Sequence, residues 1–198
     1  MDLSRLNKEQ QEAVKHMEGP LLILAGAGSG KTTMMTHRVA YMLEKGVSPY
    51  NILAVTFTNK AAGEMKDRIE SLTGGTRGMW VMTFHAMCVR ILRNHGEVLG
   101  FKNGFSIYDE SDKKALLKRI VKDLKIDEKI YPISYLGSVI SSCKEAEEDP
   151  DDYIENNSMN FKAETVAKVY ARYMEDLQQN NAMDFDDLLW NAVKLFEA

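Results

Sequence analysis

The stretch Leu21-Leu22-Ile23-Leu24-Ala25-Gly26-Ala27-Gly28-Ser29-Gly30-Lys31-Thr32 decides how this chain is read. Its aliphatic run predicts a buried strand over residues 21–25, and the glycines predict a tight turn. Gly-Lys-Thr then opens a helix over residues 31–45, with Gly46 ahead of Ser48-Pro49 as its stop. A strand, a glycine-rich turn and a helix N-terminus form a phosphate cradle. Backbone N–H groups close around the oxygens where side chains would be in the way, and the helix adds partial positive charge. In such a cradle Lys31 reaches the β- and γ-phosphates and the Thr32 hydroxyl ligates Mg²⁺. The general pattern G-x-x-x-x-G-K-[ST] has Ala25 in place of its first glycine, which suits a position of ordinary negative φ. A connection that binds nothing needs no Gly-Lys-Thr in that order, so the stretch predicts a phosphate-rich ligand.

The 198 residues suffice for one core, or one core with a smaller appendage. With 44% apolar and 27% charged residues the composition is that of a soluble globular protein rather than a disordered or fibrous one. No apolar run approaches a membrane-spanning length, and Met1-Asp2-Leu3-Ser4-Arg5 lacks a secretory apolar region, so no membrane partner is expected. Cys88 and Cys143 lie far apart without metal-ligand spacing, which predicts free thiols in a reducing compartment, the cytoplasm. The net charge of −4 does not by itself mark a nucleic-acid binder. Its distribution is uneven. Residues 1–103 carry 13 Lys and Arg against 9 Asp and Glu, whereas residues 104–198 carry 12 against 20, so the basic surplus travels with the glycine-rich turn.

Strands alternate with helices in the first half: a strand over 52–57, a helix over 60–71, a break at Gly74-Gly75-Thr76, a strand over 79–84 and a helix over 85–99. That alternation predicts βαβ units, hence an α/β fold with a parallel sheet flanked by helices. From Ile107 onward amphipathic helices are expected around residues 115–124, 136–143, 163–177 and 185–196, with no further strand. The acidic run 145–152 around Pro150 is expected to be a loop, and a domain boundary is placed near 103–110.

Other segments admit two readings each. In Leu6-Asn7-Lys8-Glu9-Gln10, Asn7 and Gln10 make a capping-box pattern, but the Gln10 amide also matches adenine N6 and N7. Thr56-Phe57-Thr58-Asn59-Lys60 leaves a strand's carboxyl end, where parallel sheets hold ligands. Phe57 suits base stacking and its polar neighbours suit phosphate, against the alternative of a capped helix beside a core aromatic. Thr83-Phe84-His85 stands at the next strand end in the same way.

Together these motifs resemble the N-terminal part of the UvrD/Rep/PcrA-type helicases, superfamily 1 DNA helicases that translocate 3′ to 5′. Leu6-Asn7-x-x-Gln10 resembles the family's adenine-reading motif, and Ala25, Gly26, Ala27, Gly28, Ser29, Gly30, Lys31, Thr32 and Thr33 its phosphate loop, the alanine included. Arg38 matches a family arginine beside the adenine. Thr56, Phe57, Asn59 and Lys60 resemble one DNA-contacting motif, and Thr83 and His85 the next. Met183-Asp184-Phe185-x-x-Leu188-Leu189 resembles the segment before the family's Asp-Glu motif. The resemblance implies a partial, RecA-like ATP-binding domain 1A over residues 1–105, a helical subdomain 1B over 106–182, and a helix returning to 1A over 183–198. It implies ATP and Mg²⁺ as ligands, Lys31 and Thr32 as the catalytic pair and Thr32 as the metal ligand. The implied partners are single-stranded or duplex-junction DNA, domains 2A and 2B of the same helicase, and repair proteins.

The Asp-Glu pair that completes the family's Mg²⁺ site is not among these residues. Asp184, Asp186, Asp187 and Glu197 are expected to serve as a cap and a solvated face. The resemblance therefore implies little or no turnover by this stretch alone. Alternatives are a helicase–nuclease subunit of the same superfamily, a P-loop ATPase or kinase without a nucleic-acid role, and an interaction module with a vestigial loop.

Overall fold

The computed structural model describes residues 1–26 and 28–198. The chain divides into two compact units, Met1–Met87 and Cys88–Ala198.

The first unit contains α1 (Lys8–Lys15), α2 (Lys31–Glu44), β1 (Leu53–Thr56), α3 (Asn59–Thr73), β2 (Trp80–Thr83) and the start of α4 (Phe84–His95). Strands β1 and β2 pair in parallel, Leu53 opposite Trp80 and Thr56 opposite Thr83. Parallel neighbours need a crossover, and α3 supplies it. Thr58 starts α3 by accepting from the Ala61 N–H at 3.1 Å, and Gly74 ends it at φ 78°. Ile52, Ala54, Met65, Ile69 and Met79 form the core beneath the strands. A smaller cluster of Leu6, Val14 and Met34 seats α1 on α2.

The strand expected over residues 21–25 does not form. Leu22 and Leu24 are 83% and 87% exposed, and among the described residues β1 pairs only with β2. Four aliphatics signal a strand buried on both faces, but a strand exists through its ladder, and none of the described residues offers this segment one.

The second unit contains most of α4, then β3 (Ser106–Tyr108), α5 (Glu110–Asp123), α6 (Ile133–Glu145), α7 (Pro150–Asn156), α8 (Ala163–Gln179), β4 (Ala182–Asp184) and α9 (Phe185–Glu197). Its core gathers Leu117, Ile120, Leu136, Ile140, Tyr170 and Tyr173. Two expectations fail here. A parallel pair, Ser106 opposite Ala182 through Tyr108 opposite Asp184, stands where no strand was expected. Three-residue strands are too short to show alternation. Within the supposed acidic loop, Pro150 at the first helical position and a capping box between Asp149 and Asp152 start α7. The helices of both units are covered by one negative result: among the described residues none is long and apolar enough to cross a membrane.

Of the expected cap and solvated face, the cap forms at Asp184 and Glu197 is exposed, but the other carboxylates are not a solvated face, Asp186 being half-buried. Asp184 and Asp187 are buried, and they form a capping box at the head of α9. The fully buried Lys144 Nζ lies 2.9 Å from Asp184 Oδ2 and 2.6 Å from Asp187 Oδ1, while the Tyr173 hydroxyl donates to Asp184 at 2.8 Å. Lys113 pairs with Asp186 at 2.9 Å, bridged by the Ser141 hydroxyl. A sequence reading misses this because the lysines come from helices about 40 and 70 residues upstream. Burial pushes the Asp187 carboxyl up to about 6, with Asp184 adding to it and Lys144 opposing. Burial works against the Asp184 carboxylate too, but Lys144, the Asp187 N–H and Lys113 together outweigh it and hold that carboxyl low.

Removing the shared cation leaves two buried carboxylates facing each other. Lys144→Met should therefore cost about 3–5 kcal/mol of unfolding free energy at neutral pH, measured by urea titration. Asp187→Asn keeps an acceptor for the Asp184 N–H and removes one titrating group. Because the folded-state value of Asp187 lies above its ordinary 3.8, its protonated form favours the fold, and that contribution fades as pH rises through about 6. The stability of Asp187→Asn relative to wild type should thus shift in the variant's favour by on the order of 2 kcal/mol from about pH 4 to about pH 7.

Candidate functional site

The turn ahead of α2 has the backbone geometry that its glycines predict. Gly28 and Gly30 adopt φ of 74° and 84°, a left-handed conformation that disfavours any side chain. Gly30 is the N-cap of α2 without a side-chain cap, and the first turn of α2 has no acidic residue. The leading N–H groups and positive dipole end of this helix therefore face no competing carboxylate of their own, as an anion site requires. Lys31 Nζ donates back to the carbonyls of Ala25 at 2.9 Å and Gly26 at 2.7 Å, curling the loop around its own ammonium. Ser29 closes the turn, its hydroxyl donating to the Gly26 carbonyl at 2.8 Å. Thr32 and Thr33 are half-buried in the first turn of α2, and the Thr33 carbonyl accepts from the Thr36 hydroxyl at 2.9 Å. Ala27, also assigned to this loop, lies outside the described residues.

The capping-box reading of Gln10 is met in full. Its Oε1 accepts from the Asn7 N–H at 3.1 Å while its own N–H donates to Asn7 Oδ1 at 2.8 Å, a complete capping box. Its Nε2 reaches across to the Ser29 carbonyl at 2.9 Å. A cavity of about 350 Å³ opens between α1 and the loop, lined by Gln10, Ala25, Gly26, Ser29 and Lys31 among others. The structure thus brings the adenine-reading candidate and the phosphate-binding candidate to one cavity. Arg38 lines a neighbouring cavity of about 330 Å³ with Lys31 and Met34, and its Nη1 donates to the carbonyls of Ala13 and His16 at the end of α1. The link from Gln10 to a loop carbonyl is not legible in the sequence, because it depends on where α1 comes to rest. A cavity of about 420 Å³ in the second unit, between α5 and α6, holds none of the residues assigned from sequence.

Parallel pairing of β1 and β2 sets their carboxyl ends side by side. Phe57, 87% exposed, meets the exposed Phe84 with ring centroids 5.4 Å apart and planes tilted by 40°. Asn59 and Lys60 stand exposed in the first turn of α3, and Thr56 and His85 are half-buried. Thr83 is buried, and its hydroxyl accepts from the Ala86 N–H at 3.2 Å, so it serves the start of α4 rather than an exposed contact. The sequence does not mark Phe84 as a contact residue. The strand register that places it against Phe57 is the missing information. Two exposed rings flanked by Lys60 and Asn59 form a platform suited to unstacked bases.

A family model for the UvrD/REP helicase N-terminal domain matches residues 6–198. The chain belongs to the UvrD/REP helicase family. It is 48% identical over 98% of its length to the ATP-dependent DNA helicase PcrA of Staphylococcus aureus (strain NCTC 8325 / PS 47), of which it covers 27%. The same identity and shares relate it to the PcrA of Staphylococcus epidermidis (strain ATCC 12228 / FDA PCI 1200). The chain thus spans about a quarter of the length of these curated relatives.

A Cβ on Gly30 would stand 3.0 Å from Gln10 Nε2 in addition to straining a φ of 84°. Gly30→Ala should cost about 1–3 kcal/mol in thermal or urea unfolding. Gly26→Ala, whose Cβ meets nothing within 4 Å, should stay within about 0.5 kcal/mol of wild type.

Proposed function

We propose that this chain is the nucleotide- and single-strand-facing N-terminal part of an ATP-dependent 3′–5′ DNA helicase. The observation that carries the reading is the meeting of Gln10, Ser29 and Lys31 at one cavity beside an uncapped helix N-terminus. The Phe57–Phe84 platform at the strand ends of the same unit supports the DNA part of it. Residues 1–105 correspond in this reading to part of domain 1A, 106–182 to subdomain 1B and 183–198 to the helix returning to 1A. The partners are single-stranded and junction DNA, domains 2A and 2B of the longer protein, and repair proteins, in the cytoplasm.

For the nucleotide, the residues present fit ATP and Mg²⁺. Lys31 exchanges the two loop carbonyls it now holds for β- and γ-phosphate oxygens, a change from neutral to charge-assisted hydrogen bonds. The backbone of Gly28, Ser29, Gly30, Lys31 and Thr32, with Thr33 behind it, surrounds the phosphates. Gln10 meets the adenine. The Thr32 hydroxyl would hold Mg²⁺, which would supply charge neutralisation to the phosphates. On the DNA side Phe57 and Phe84 stack bases, while Thr56, Asn59, Lys60 and His85 lie where phosphate and sugar pass. Turnover and unwinding are assigned to the longer protein, in which a second RecA-like domain closes on ATP and reopens after hydrolysis.

Fluorescent ATP and a labelled oligo-dT strand test the two surfaces separately. Lys31→Ala should weaken nucleotide binding about tenfold or more, the scale of a charged hydrogen bond. Phe57→Ala should weaken oligo-dT binding about tenfold while leaving nucleotide affinity alone. ATP hydrolysis by the chain itself, with or without DNA, should be at background. Nucleotide affinity indifferent to Lys31, or oligo-dT affinity indifferent to Phe57, would overturn the corresponding half of the reading. DNA unwinding by this chain alone would overturn the assignment of the motor to the longer protein.

A further inference from the structure

We propose that the turn between α7 and α8, together with the start of α6, docks the C-terminus of a partner protein whose last side chain is aromatic or large and aliphatic. The proposal stands apart from the nucleotide and DNA reading of the first unit, because every residue it uses lies in the second.

Residues 157–162 join α7 to α8 and carry the two most accessible large apolar side chains among the described residues of this unit, Met159 at 99% and Phe161 at 83%. A single exposed apolar side chain is ordinary on a protein surface. These two sit on a turn that is held in place. The Asn160 N–H donates to the Asn157 carbonyl at 2.8 Å, the Ala163 N–H to the Asn160 carbonyl at 2.9 Å, and the Lys162 N–H to Asn160 Oδ1 at 3.0 Å. A turn ordered in advance loses little conformational freedom when a partner lands on it.

Lys162 gives this apolar pair a charge to work with. Its Nζ donates to the Ile130 carbonyl at 3.0 Å and lies 5.2, 5.6 and 5.9 Å from the ring centroids of Tyr135, Tyr131 and Phe161. The ring faces attract the cation and keep it at the centre of the patch. An ammonium has three N–H donors, and among the described residues no carboxylate pairs with this one. The complement that the patch lacks is therefore one negative charge beside an apolar group.

The surroundings select what brings that charge. Residues 125–135 and 155–164 contain three lysines against four carboxylates, so they offer no cationic surplus to a run of phosphates, which needs several cations. One ammonium matches one carboxylate. Because Nζ is only 5.9 Å from the centre of the Phe161 ring, the occupant's carboxylate and its apolar group must be close neighbours too. A C-terminal residue carries both on one Cα, with no intervening chain to order. Its side chain packs on Phe161 and Met159 while its carboxylate accepts from Lys162 in a charge-assisted hydrogen bond.

Fluorescence polarisation of two labelled hexapeptides, rich in glycine and serine and ending in phenylalanine or in leucine, tests this on the whole chain. At least one should bind saturably with its carboxylate free, and amidating that carboxylate should weaken it about tenfold, the scale of a charged hydrogen bond. Phe161→Ala should weaken the free peptide about tenfold. Lys162→Met keeps the stem and removes the charge, so it should bind the free and the amidated peptide within about twofold of each other. If Lys162→Met does not fold, Lys162→Gln takes its place with the same expectation.

Failure of wild type to bind either free peptide would overturn the proposal. So would amidation without effect, an affinity unchanged in Phe161→Ala, or a lysine variant that still favours the free carboxylate tenfold. A labelled oligo-dT strand is the competing ligand. If Phe161→Ala and Lys162→Met weaken its binding and not that of the peptides, the surface belongs to nucleic acid and the proposal is overturned.

Discussion

Gly30 is the residue on which the candidate nucleotide site turns. Its left-handed conformation lets the chain reverse out of the loop and enter α2 with no side chain over the helix's first N–H groups. Its missing Cβ leaves room for the Gln10 amide to approach the Ser29 carbonyl. With those two conditions met, Lys31 points back into the loop, and α1 comes to rest against it. Without either, the loop and α1 could not share a boundary, and the cavity that holds Gln10 and Lys31 would not form.

The second unit is organised around a charge rather than a glycine. Lys144 is taken fully out of water, which is costly, and the cost is met by carboxylates on the turn between β4 and α9. The same Asp184 caps α9, accepts from Tyr173 and lies 3.8 Å from Lys113, so helices α5, α6, α8 and α9 converge on one carboxylate. A purely apolar contact could bind these helices as firmly. The fixed directions of the hydrogen bonds add a defined start to α9, and they place the whole Asp184-Phe185-Asp186-Asp187 run.

Sheet pairing is what turns two separate strand-end motifs into one face. Thr56-Phe57 and Thr83-Phe84 lie about 27 residues apart in the chain. The one-to-one parallel register brings their ends level, and two rings that would each be an ordinary exposed aromatic become a pair. The same pairing accounts for the failure at residues 21–25. Hydrophobicity gives a segment the tendency to be a strand, but ladder partners make it one, and for this segment the described residues offer none.

Local rules were therefore readable without a structure wherever they are local. The glycine-rich turn and the helix after it, the α3 crossover between two strands, the Asn7–Gln10 capping box and the α/β class follow from spacing and residue type, because backbone sterics and cap hydrogen bonds reach only a few residues along the chain. The UvrD/REP membership was legible for the same reason, since its motifs are short runs in order. Tertiary structure decided what depends on distant partners: that Gln10 also holds Ser29, that Arg38 closes the end of α1, that Phe84 joins Phe57, that Asp184 and Asp187 are buried on Lys144, and that Asp186 pairs with Lys113. Burial raises the strength of a charge contact, and its sequence separation leaves no periodic trace, so such contacts become visible only once the chain has packed.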